Sequence, residues 1–324
     1  MKKIVVILTG GTIAMRMDPN LMSAVPSLSK DELLGDVKKH INGTIIEERE
    51  LYNVPSPHMN AKRMVELRDK IIEALNEDDV IGVIVTHGTD TLEESAFYIN
   101  TTVDSKKPIV FTGAMRNASE LGYDGELNIT ASIATIISYE NIYSGTYVVM
   151  NNEIHSAYDV TKTNTLSVNT FKSLDFGPLG IIDNDEVIFL RDERKHKKVI
   201  TENLEEKVAL VKIVAGMNSD ILNFLVEKEY RGIVIEALGR GNVPPEVVSG
   251  LENAIKKNIP IVMVSRCGTG RVLGSYGYVG GGKRLLDMGV INGGYLTGQK
   301  ARIALMALLD ANKDYNQIKE YFKL

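Results

Sequence analysis

The sequence predicts an α/β protein, in which a larger N-terminal domain holds a parallel, doubly wound sheet and a smaller C-terminal domain is also α/β. Two observations predict this class. Short β-branched runs alternate with helical patterns along the chain, which is typical of parallel strands joined by crossover helices. The length of 324 residues also exceeds what one hydrophobic core usually supports, so we expect two domains.

Four strands and three helices are predicted in the first half of the chain. The strand candidates are short apolar runs at residues 4–8, 80–85, 109–112 and 147–150. Between the first two, Met64, Leu67 and Ile71 recur at helical spacing among charged residues, which predicts an amphipathic helix. Further helices are expected at residues 91–100 and 128–139.

A change of composition separates the two halves of the chain. Residues 183–206 are dense in charge, and we expect a linker at 189–206 between domains at 1–188 and 207–324. Beyond the linker the alternation resumes. It predicts strands at 208–214, 232–237 and 259–265 and helices at 219–228, 245–256 and 299–309.

The composition argues against nucleic-acid and membrane partners. The net charge is -5 and the basic residues are scattered, so the sequence contains no evident phosphate-binding patch. No run approaches the roughly 20 apolar residues of a membrane helix, and residues 4–8 are better explained as a strand than as a signal peptide. Cys267 is the only cysteine, which excludes an internal disulfide. We expect a cytoplasmic protein that binds a small uncharged or zwitterionic molecule.

Two predicted strands end in nearly the same way. Thr-Gly-Gly-Thr follows the first strand at 9–12, and Thr-His-Gly-Thr-Asp follows another at 86–90. The carboxyl ends of parallel strands meet at one edge of a sheet, so both segments should line the same cleft. Glycine there lets backbone N–H groups approach a ligand and stabilise an oxyanion. Each segment also supplies a threonine hydroxyl, Thr12 or Thr89, as a possible nucleophile.

A structural explanation competes with this functional one. Gly-Gly-Thr is common in turns, and Asp90 with Glu93 has the spacing of a capping box at the head of a helix. The coincidence of two such segments at two strand ends favours a functional site, in which Asp90 both caps its helix and binds a substrate cation.

A threonine nucleophile needs a base, and Lys162 is the best candidate. Lys162 stands among hydroxyl and amide residues rather than on an amphipathic face, and a partly desolvated lysine can act as a base. The histidines are dispersed along the chain, and His87 lies within a turn. Taken alone, a lysine in such a segment is more often a surface residue.

At this point the residues match a known family: the chain resembles the bacterial-type L-asparaginases along essentially its whole length. The matching segments are residues 9–14, 86–91, 112–116, 124–128 and 159–165 with 171–173. The resemblance implies that Thr12, Thr89 and Lys162 are catalytic and that Asp90 binds the substrate α-ammonium group and orients Lys162. It thus implies an amidohydrolase of asparagine catabolism that uses no metal and no cofactor.

The resemblance also implies further substrate contacts. Ser56 matches the serine that binds the substrate α-carboxylate, and Gly11, Gly88 and Ala114 belong to the matching segments. Asn242 matches an asparagine that reaches the substrate of a neighbouring subunit, which implies a homodimer or homotetramer with shared sites. By composition alone, Asn242 is equally well explained as part of a glycine turn.

Two features depart from the family pattern. The mobile N-terminal lid of the family usually carries a tyrosine, but none occurs between Thr12 and Tyr52, so residues 15–25 are expected to close the site differently. The glutamate that the partner subunit contributes is not evident in residues 276–283. The preference for asparagine over glutamine is therefore less well defined than the reaction.

Several alternatives accompany the prediction of an L-asparaginase. A glutaminase of the same family is the main one, and a non-catalytic amino-acid sensor is another. Residues 277–283 fit the spacing of a phosphate-binding loop, but Arg284 stands where that loop needs a serine or threonine. Within the mechanism, Thr12 is the first choice as nucleophile and Thr89 as the residue activated by Lys162. A reversed assignment and direct attack by water stay open.

Overall fold

The computed structural model describes residues 1–18, 23–26, 43–139, 145–184 and 186–323. The chain divides into two compact units, Met1–Lys198 and Val199–Leu324. The division falls within the predicted linker, and the domain limits at 188 and 207 stay predictions.

The first unit contains twelve strands and three α-helices within its described residues. The strands are β1 (Lys2–Leu8), β2 (Met15–Asp18), β3 (Ser23–Pro26), β4 (Thr44–Glu50), β5 (Val80–Thr86), β6 (Ile109–Thr112), β7 (Thr146–Met150), β8 (Glu153–Ser156), β9 (Thr161–Lys162), β10 (Phe171–Lys172), β11 (Gly180–Asp183) and β12 (Glu186–Phe189). The helices are α1 (Ala61–Leu75), α2 (Leu92–Thr102) and α3 (Gly125–Tyr139).

Eight of these strands form one mixed sheet in the order β12-β11-β8-β7-β6-β5-β1-β4. From β4 to β7 all neighbours are parallel, as predicted, whereas β8, β11 and β12 extend the sheet with antiparallel pairs. The strand order reverses at β1, because the chain goes from β1 outward to β4 and then returns to β5 on its other side. Such a topological switch point between β1 and β5 is where open α/β sheets bind ligands.

Helices cover both faces of this sheet, which confirms the doubly wound α/β class. On α3, Ile129, Ile133 and Ile136 are buried in one core cluster with Ile4 and Val6 of β1. Side chains alternate along a strand, so Val5 and Ile7, which are also buried, face the other side. On that side α1 and α2 pack against each other and against the sheet.

The second unit is a smaller parallel α/β structure, as predicted. Its strands β13 (Val208–Lys212), β14 (Gly232–Ala237), β15 (Ile261–Ser265) and β16 (Ile291–Asn292) form one sheet in sequence order. Its helices are α4 (Asp220–Glu227), α5 (Val248–Lys256), α6 (Gly282–Met288), α7 (Gly298–Asp310) and α8 (Tyr315–Tyr321). Of these, β16, α6 and α8 were not predicted, because each is too short to show a period.

Within the described part of the chain, no helix combines the length and the hydropathy that a membrane crossing requires.

Candidate active site

Two glycine loops meet at the switch point between β1 and β5. The first loop, residues 9–12, follows β1, and the second loop, residues 87–90, follows β5. The strands pair in parallel register up to Leu8 and Thr86, and Thr9 then donates to the carbonyl of Thr86 through its backbone N–H at 3.2 Å and its hydroxyl at 2.8 Å. Gly11 has a φ of 86°, and a Cβ added to it would lie 2.4 Å from the Cα of Gly88. Only glycine permits this approach of the two loops.

The two threonines follow these glycines directly. Thr12 begins a single 3₁₀ turn, Thr12–Ala14, and is half-buried. Thr89 is buried, with 7% of its surface exposed. The contact between Gly11 and Gly88 therefore brings both predicted threonines to the same carboxyl edge of the sheet.

A third segment, around Ser56, packs onto both loops. The backbone N–H of Val54 donates to the carbonyl of Thr9 at 3.1 Å, and Gly11 N–H donates to the carbonyl of Val54 at 3.2 Å. A Cβ on Gly88 would lie 2.8 Å from Ser56 Oγ, and that oxygen accepts the backbone N–H of Asp90 at 3.2 Å. The buried hydroxyl of Ser56 thus lies beside Gly88 and Asp90, and its role in substrate binding stays a prediction.

Lys162 is bonded to two side chains of the second loop, those of Thr89 and Asp90. Its ammonium group Nζ donates to Thr89 Oγ1 at 2.9 Å and to Asp90 Oδ1 at 2.7 Å. The lysine side chain is 17% exposed, whereas the carboxylate side chain of Asp90 is 62% exposed. A threonine hydroxyl, a lysine and a carboxylate are therefore in direct contact although 72 residues separate Asp90 from Lys162 in the sequence.

The predicted capping role of Asp90 is wrong. Helix α2 begins at Leu92 with Thr91 as its N-cap residue, and the Thr91 side chain makes no capping hydrogen bond. Asp90 instead accepts from Lys162 Nζ, and Glu93 Oε2 accepts the backbone N–H of Lys162 at 3.1 Å. Asp90 and Glu93 both accept hydrogen bonds from Lys162, and these tertiary contacts override their local preference for capping the helix.

A fourth segment is the loop after β6, which carries Ala114. A Cβ on Gly113 would lie 2.5 Å from the carbonyl oxygen of His87, so this loop also approaches the second one closely. Ala114 is fully buried. Two polar side chains fix the loop: Asp124 accepts the backbone N–H groups of residues 115 and 116 at 3.0–3.1 Å, and Asn128 Nδ2 donates to Gly113 O at 2.9 Å.

These supporting contacts were not predicted individually. Asp124 and Asn128 were noted only as part of the family resemblance, and nothing in a sequence tells which backbone groups a carboxylate or amide will reach. Glu93 was predicted as a helix cap. Their position could have pointed to these roles, because each residue lies in the first turn of a helix or directly before it.

His87 is held as a neutral, structural residue. Burial lowers the pKa of His87 to about 4. Its Nδ1 lies 2.8 Å from the carbonyl oxygen of Gly88, which can only accept, and its Nε2 lies 3.0 Å from Ser95 Oγ. One ring nitrogen therefore donates and the other accepts, which is the neutral tautomer. His87 supports the turn of the second loop, in agreement with its low rank as a predicted base.

Two predicted features belong to other segments of the chain. Asn242 belongs to the second unit, where its Oδ1 accepts the backbone N–H of Gly282 at the start of α6 at 3.1 Å. The segment expected to close the site is described only in β2 and β3, which pair as an antiparallel hairpin. Residues 19–22, within that predicted lid, lie outside the described residues.

Residues 277–283, which fit the spacing of a phosphate-binding loop, lack the structure that such a loop requires. Described residues 266–281 contain no strand leading into the loop, and Lys283 pairs with Asp287 at 2.5 Å. A phosphate-binding loop needs a strand before it and a free lysine.

The fold and the site together define an α/β protein with a threonine, a lysine and a carboxylate at the switch point of a doubly wound sheet. Residues 3–195 match the family model described as Asparaginase, N-terminal, and residues 207–322 match the Glutaminase/Asparaginase C-terminal domain. The chain belongs to the glutaminase/asparaginase family.

Individual relatives agree over nearly the full chain. A probable periplasmic L-asparaginase of Haemophilus influenzae is 34% identical over 99% of this chain and 92% of that protein. A glutamyl-tRNA(Gln) amidotransferase component of Pyrococcus abyssi is 31% identical over 98% of this chain and 74% of that protein. The crystal structure of a probable cytoplasmic L-asparaginase from Campylobacter jejuni has a TM-score of 0.88 and 30% identity, and the match covers 99% of each chain.

Proposed function

We propose that this chain is an L-asparaginase that hydrolyses L-asparagine to L-aspartate and ammonia through a threonine nucleophile. The observation that carries the proposal is the 2.9 Å contact between Lys162 Nζ and Thr89 Oγ1, with Asp90 bonded to the same Nζ. A hydroxyl, an amine and a carboxylate in contact are the parts of an activated nucleophile. The family membership of the chain supports amide hydrolysis as the reaction.

In the proposed mechanism, one threonine attacks the side-chain carbonyl carbon of asparagine. A new C–O bond forms, the C–N bond breaks, and the hydroxyl proton passes to the nitrogen, which leaves as ammonia. Water then breaks the C–O bond and releases aspartate. Thr12 is our first choice as nucleophile and Thr89 as the hydroxyl activated by Lys162, whose Nζ lies 2.9 Å from Thr89 Oγ1.

The remaining groups of the site bind the substrate in this proposal. The exposed carboxylate of Asp90 binds the α-ammonium group, and Ser56 binds the α-carboxylate. Backbone N–H groups near Gly11, Gly88 and Thr89 stabilise the oxyanion, because glycines leave room for a ligand to approach the main chain. Ala114, in the loop after β6, is a further proposed substrate contact. No step of this mechanism uses a metal or a cofactor.

A second candidate is a glutaminase, or an amidase acting on glutamine attached to another molecule. The similarity to an amidotransferase component of Pyrococcus abyssi favours it, since that match covers 98% of this chain. Both candidate enzymes would use the same threonines and lysine, and their substrates differ in the length of the side chain that carries the amide.

The assembly and location are parts of the same proposal. A homodimer, paired again into a homotetramer, would share each site between subunits, with Asn242 reaching the substrate of a neighbour. We propose a cytoplasmic protein, a location supported by the lone Cys267 and by the likeness to a probable cytoplasmic enzyme. The similarity to a probable periplasmic enzyme favours the alternative compartment.

Ammonia release from L-asparagine, L-glutamine and asparaginyl peptides, measured side by side, tests the proposal. We expect kcat/KM to be highest for free asparagine. Faster release from glutamine would support the second candidate. No release from any of the three substrates would refute amide hydrolysis.

A further inference from the structure

Lys162 lies on a hairpin that is separate from the main sheet. Among the residues that the structure describes, strands β9 and β10 pair only with each other, in the register Lys162 with Phe171 and Thr161 with Lys172. The hydrogen bonds of the eight-stranded sheet therefore do not fix the position of Lys162 relative to Thr89. Contacts outside the strand ladder must hold the hairpin in place.

The far side of the hairpin is bonded to β8 of the main sheet. Opposite residues of an antiparallel pair share a face, so Lys162 and Phe171 face one side, and Lys172 faces the other. Lys172 Nζ donates to Glu153 Oε2 at 2.7 Å. The next residue, Ser173, has its Oγ 3.0 Å from His155 Nδ1.

Glu153 and His155 form one connected anchor. They are two residues apart on β8 and so face the same side, and His155 Nε2 lies 3.2 Å from the oxygen of Glu153 that binds Lys172. The His155 ring is fully buried, and burial lowers its pKa, which favours the neutral form. In that form Nε2–H donates to the carboxylate and Nδ1 accepts the hydroxyl of Ser173, so every group of the anchor is satisfied.

We propose that Glu153 and His155 are positioning residues for Lys162, acting through Lys172 and Ser173 on the paired strand. This inference rests on the proposed function, in which Lys162 activates Thr89. It gives a role to residues 171–173, which the family resemblance singled out but no step of the mechanism uses. Glu153 and His155 touch no reacting group, and their effect reaches the site only through the position of the hairpin.

The first measurement is the steady-state rate of the Glu153→Ala variant. Small displacements of a catalytic group cost up to about 10²-fold in rate, so we expect kcat to fall by on the order of tenfold or more with a smaller change in KM. Glu153→Gln keeps one oxygen for His155 and Lys172 and should recover most of the rate. If Glu153→Ala does not fold, Lys172→Met removes the same ion pair and leaves the bond between Glu153 and His155.

Glu77→Ala is the matched control. Glu77 likewise accepts from two side chains, Lys3 at 2.5 Å and Arg49 at 2.6 Å, but at the amino end of β1, away from the hairpin. Its loss should lower the free energy of unfolding and leave kcat unchanged. An equal loss of kcat in both variants would indicate a general structural effect and overturn the proposal.

Two further measurements separate this inference from the proposed function. The variant Glu153→Ala with Lys162→Met should be no slower than Lys162→Met alone, because both changes act on one group. The rate of reductive methylation of Lys162, followed by peptide mass spectrometry, should rise in Glu153→Ala and not in Glu77→Ala. That readout needs no activity, so it decides the role of Glu153 even if the protein releases no ammonia from asparagine. Unchanged kcat and unchanged Lys162 methylation in Glu153→Ala would overturn the proposal.

Discussion

The main chains of Gly11 and Gly88 are so close that a Cβ atom on Gly11 would lie 2.4 Å from the Cα of Gly88. No side chain lies between them at this point. The loops that carry Thr12 and Thr89 are therefore held at a separation that only glycine allows.

The first prediction follows from this contact. We expect Gly11→Ala to lower the free energy of unfolding by about 1–3 kcal/mol or more and to reduce activity strongly, because the methyl group overlaps main-chain atoms and the φ is 86°. Gly177→Ala is the control, since Gly177 has a φ of 72° but nothing within 4 Å of an added Cβ. It should cost about 1 kcal/mol, the strain of the positive φ alone. Urea unfolding measures the free energy of unfolding of both variants. Equal losses in the two would contradict a steric clash at Gly11.

The second prediction concerns the threonines. Thr12→Ala and Thr89→Val should each lower kcat by about 10³-fold or more while leaving the fold intact, because each removes a hydroxyl and little packing. Circular dichroism checks the fold, and ammonia release checks the rate. A variant that keeps near-normal turnover would exclude that threonine from the mechanism.

The third prediction concerns Lys162 and metals. Lys162→Met retains most of the apolar stem and removes the group that contacts Thr89 and Asp90, so we expect a loss of similar size. Exhaustive chelation of the wild-type protein should leave its activity unchanged. Activity that is lost on chelation and restored by zinc or magnesium would contradict the proposed mechanism.

The fourth prediction concerns stability and pH. Burial raises the pKa of Glu193 from 4.5 to about 7, while Ser156 donates to its carboxyl oxygen at 2.6 Å. Between these two pKa values the folded state binds a proton that the unfolded state has lost, so the stability contributed by this group falls as the pH rises. Glu193→Gln mimics the protonated form. It should match wild type near pH 4.5 and be more stable by on the order of 2–3 kcal/mol above pH 7.

The difference between the Glu193→Gln variant and wild type, measured by urea unfolding at several pH values, isolates this group. His87 titrates in the opposite sense, because burial lowers its pKa to about 4, but it is present in both proteins and cancels. Glu186→Gln, at an exposed carboxylate, is the control and should follow wild type at each pH. A constant difference across the pH range would show that Glu193 does not titrate as proposed.

The central fold was predictable because its strands are apolar runs buried on both faces. β1 and β5 show this plainly. β4 was missed because it is an edge strand with charged residues at 47–50, which neighbouring charges satisfy through contacts such as the 3.0 Å pair of Lys3 and Glu47. The strands β9 and β10 have two residues each, too few for any periodicity.

The candidate site was predictable to the level of its polar residues. Glycine, threonine and aspartate after the strands indicated a cleft, and Lys162 was the candidate base that the resemblance then supported. The partners of these residues were not predictable, since the bond from Lys162 N–H to Glu93 depends on how a distant hairpin packs. Local spacing instead suggested a helix cap, a preference that tertiary contacts overrode.

The fifth prediction concerns assembly. Thr89 and Asn242 belong to different units, and if each site combines one unit from each of two subunits, Thr89→Val and Asn242→Ala should both be weak alone. When they are unfolded together and refolded, about half of the dimers should be mixed, each with one intact site, which restores about a quarter of wild-type activity.

Asn242→Asp tests whether a defect at this position is only local, because the carboxylate keeps an acceptor for the backbone N–H of Gly282. Recovery no greater than the sum of the separate variants, despite demonstrated mixed dimers, would show that one subunit contains the whole site.

The backbone contacts among the loops at Gly11, Gly88 and Gly113 also constrain how the substrate range can change. Where side chains line a cavity, exchanging a large residue for a small one enlarges it. Here main-chain atoms lie against main-chain atoms, and a Cβ added to Gly113 would lie 2.5 Å from His87 O. These positions therefore offer no side chain that a smaller one could replace. We therefore expect variants that accept the longer side chain of glutamine to carry their changes at the entrance to the cleft, where side chains can still be exchanged.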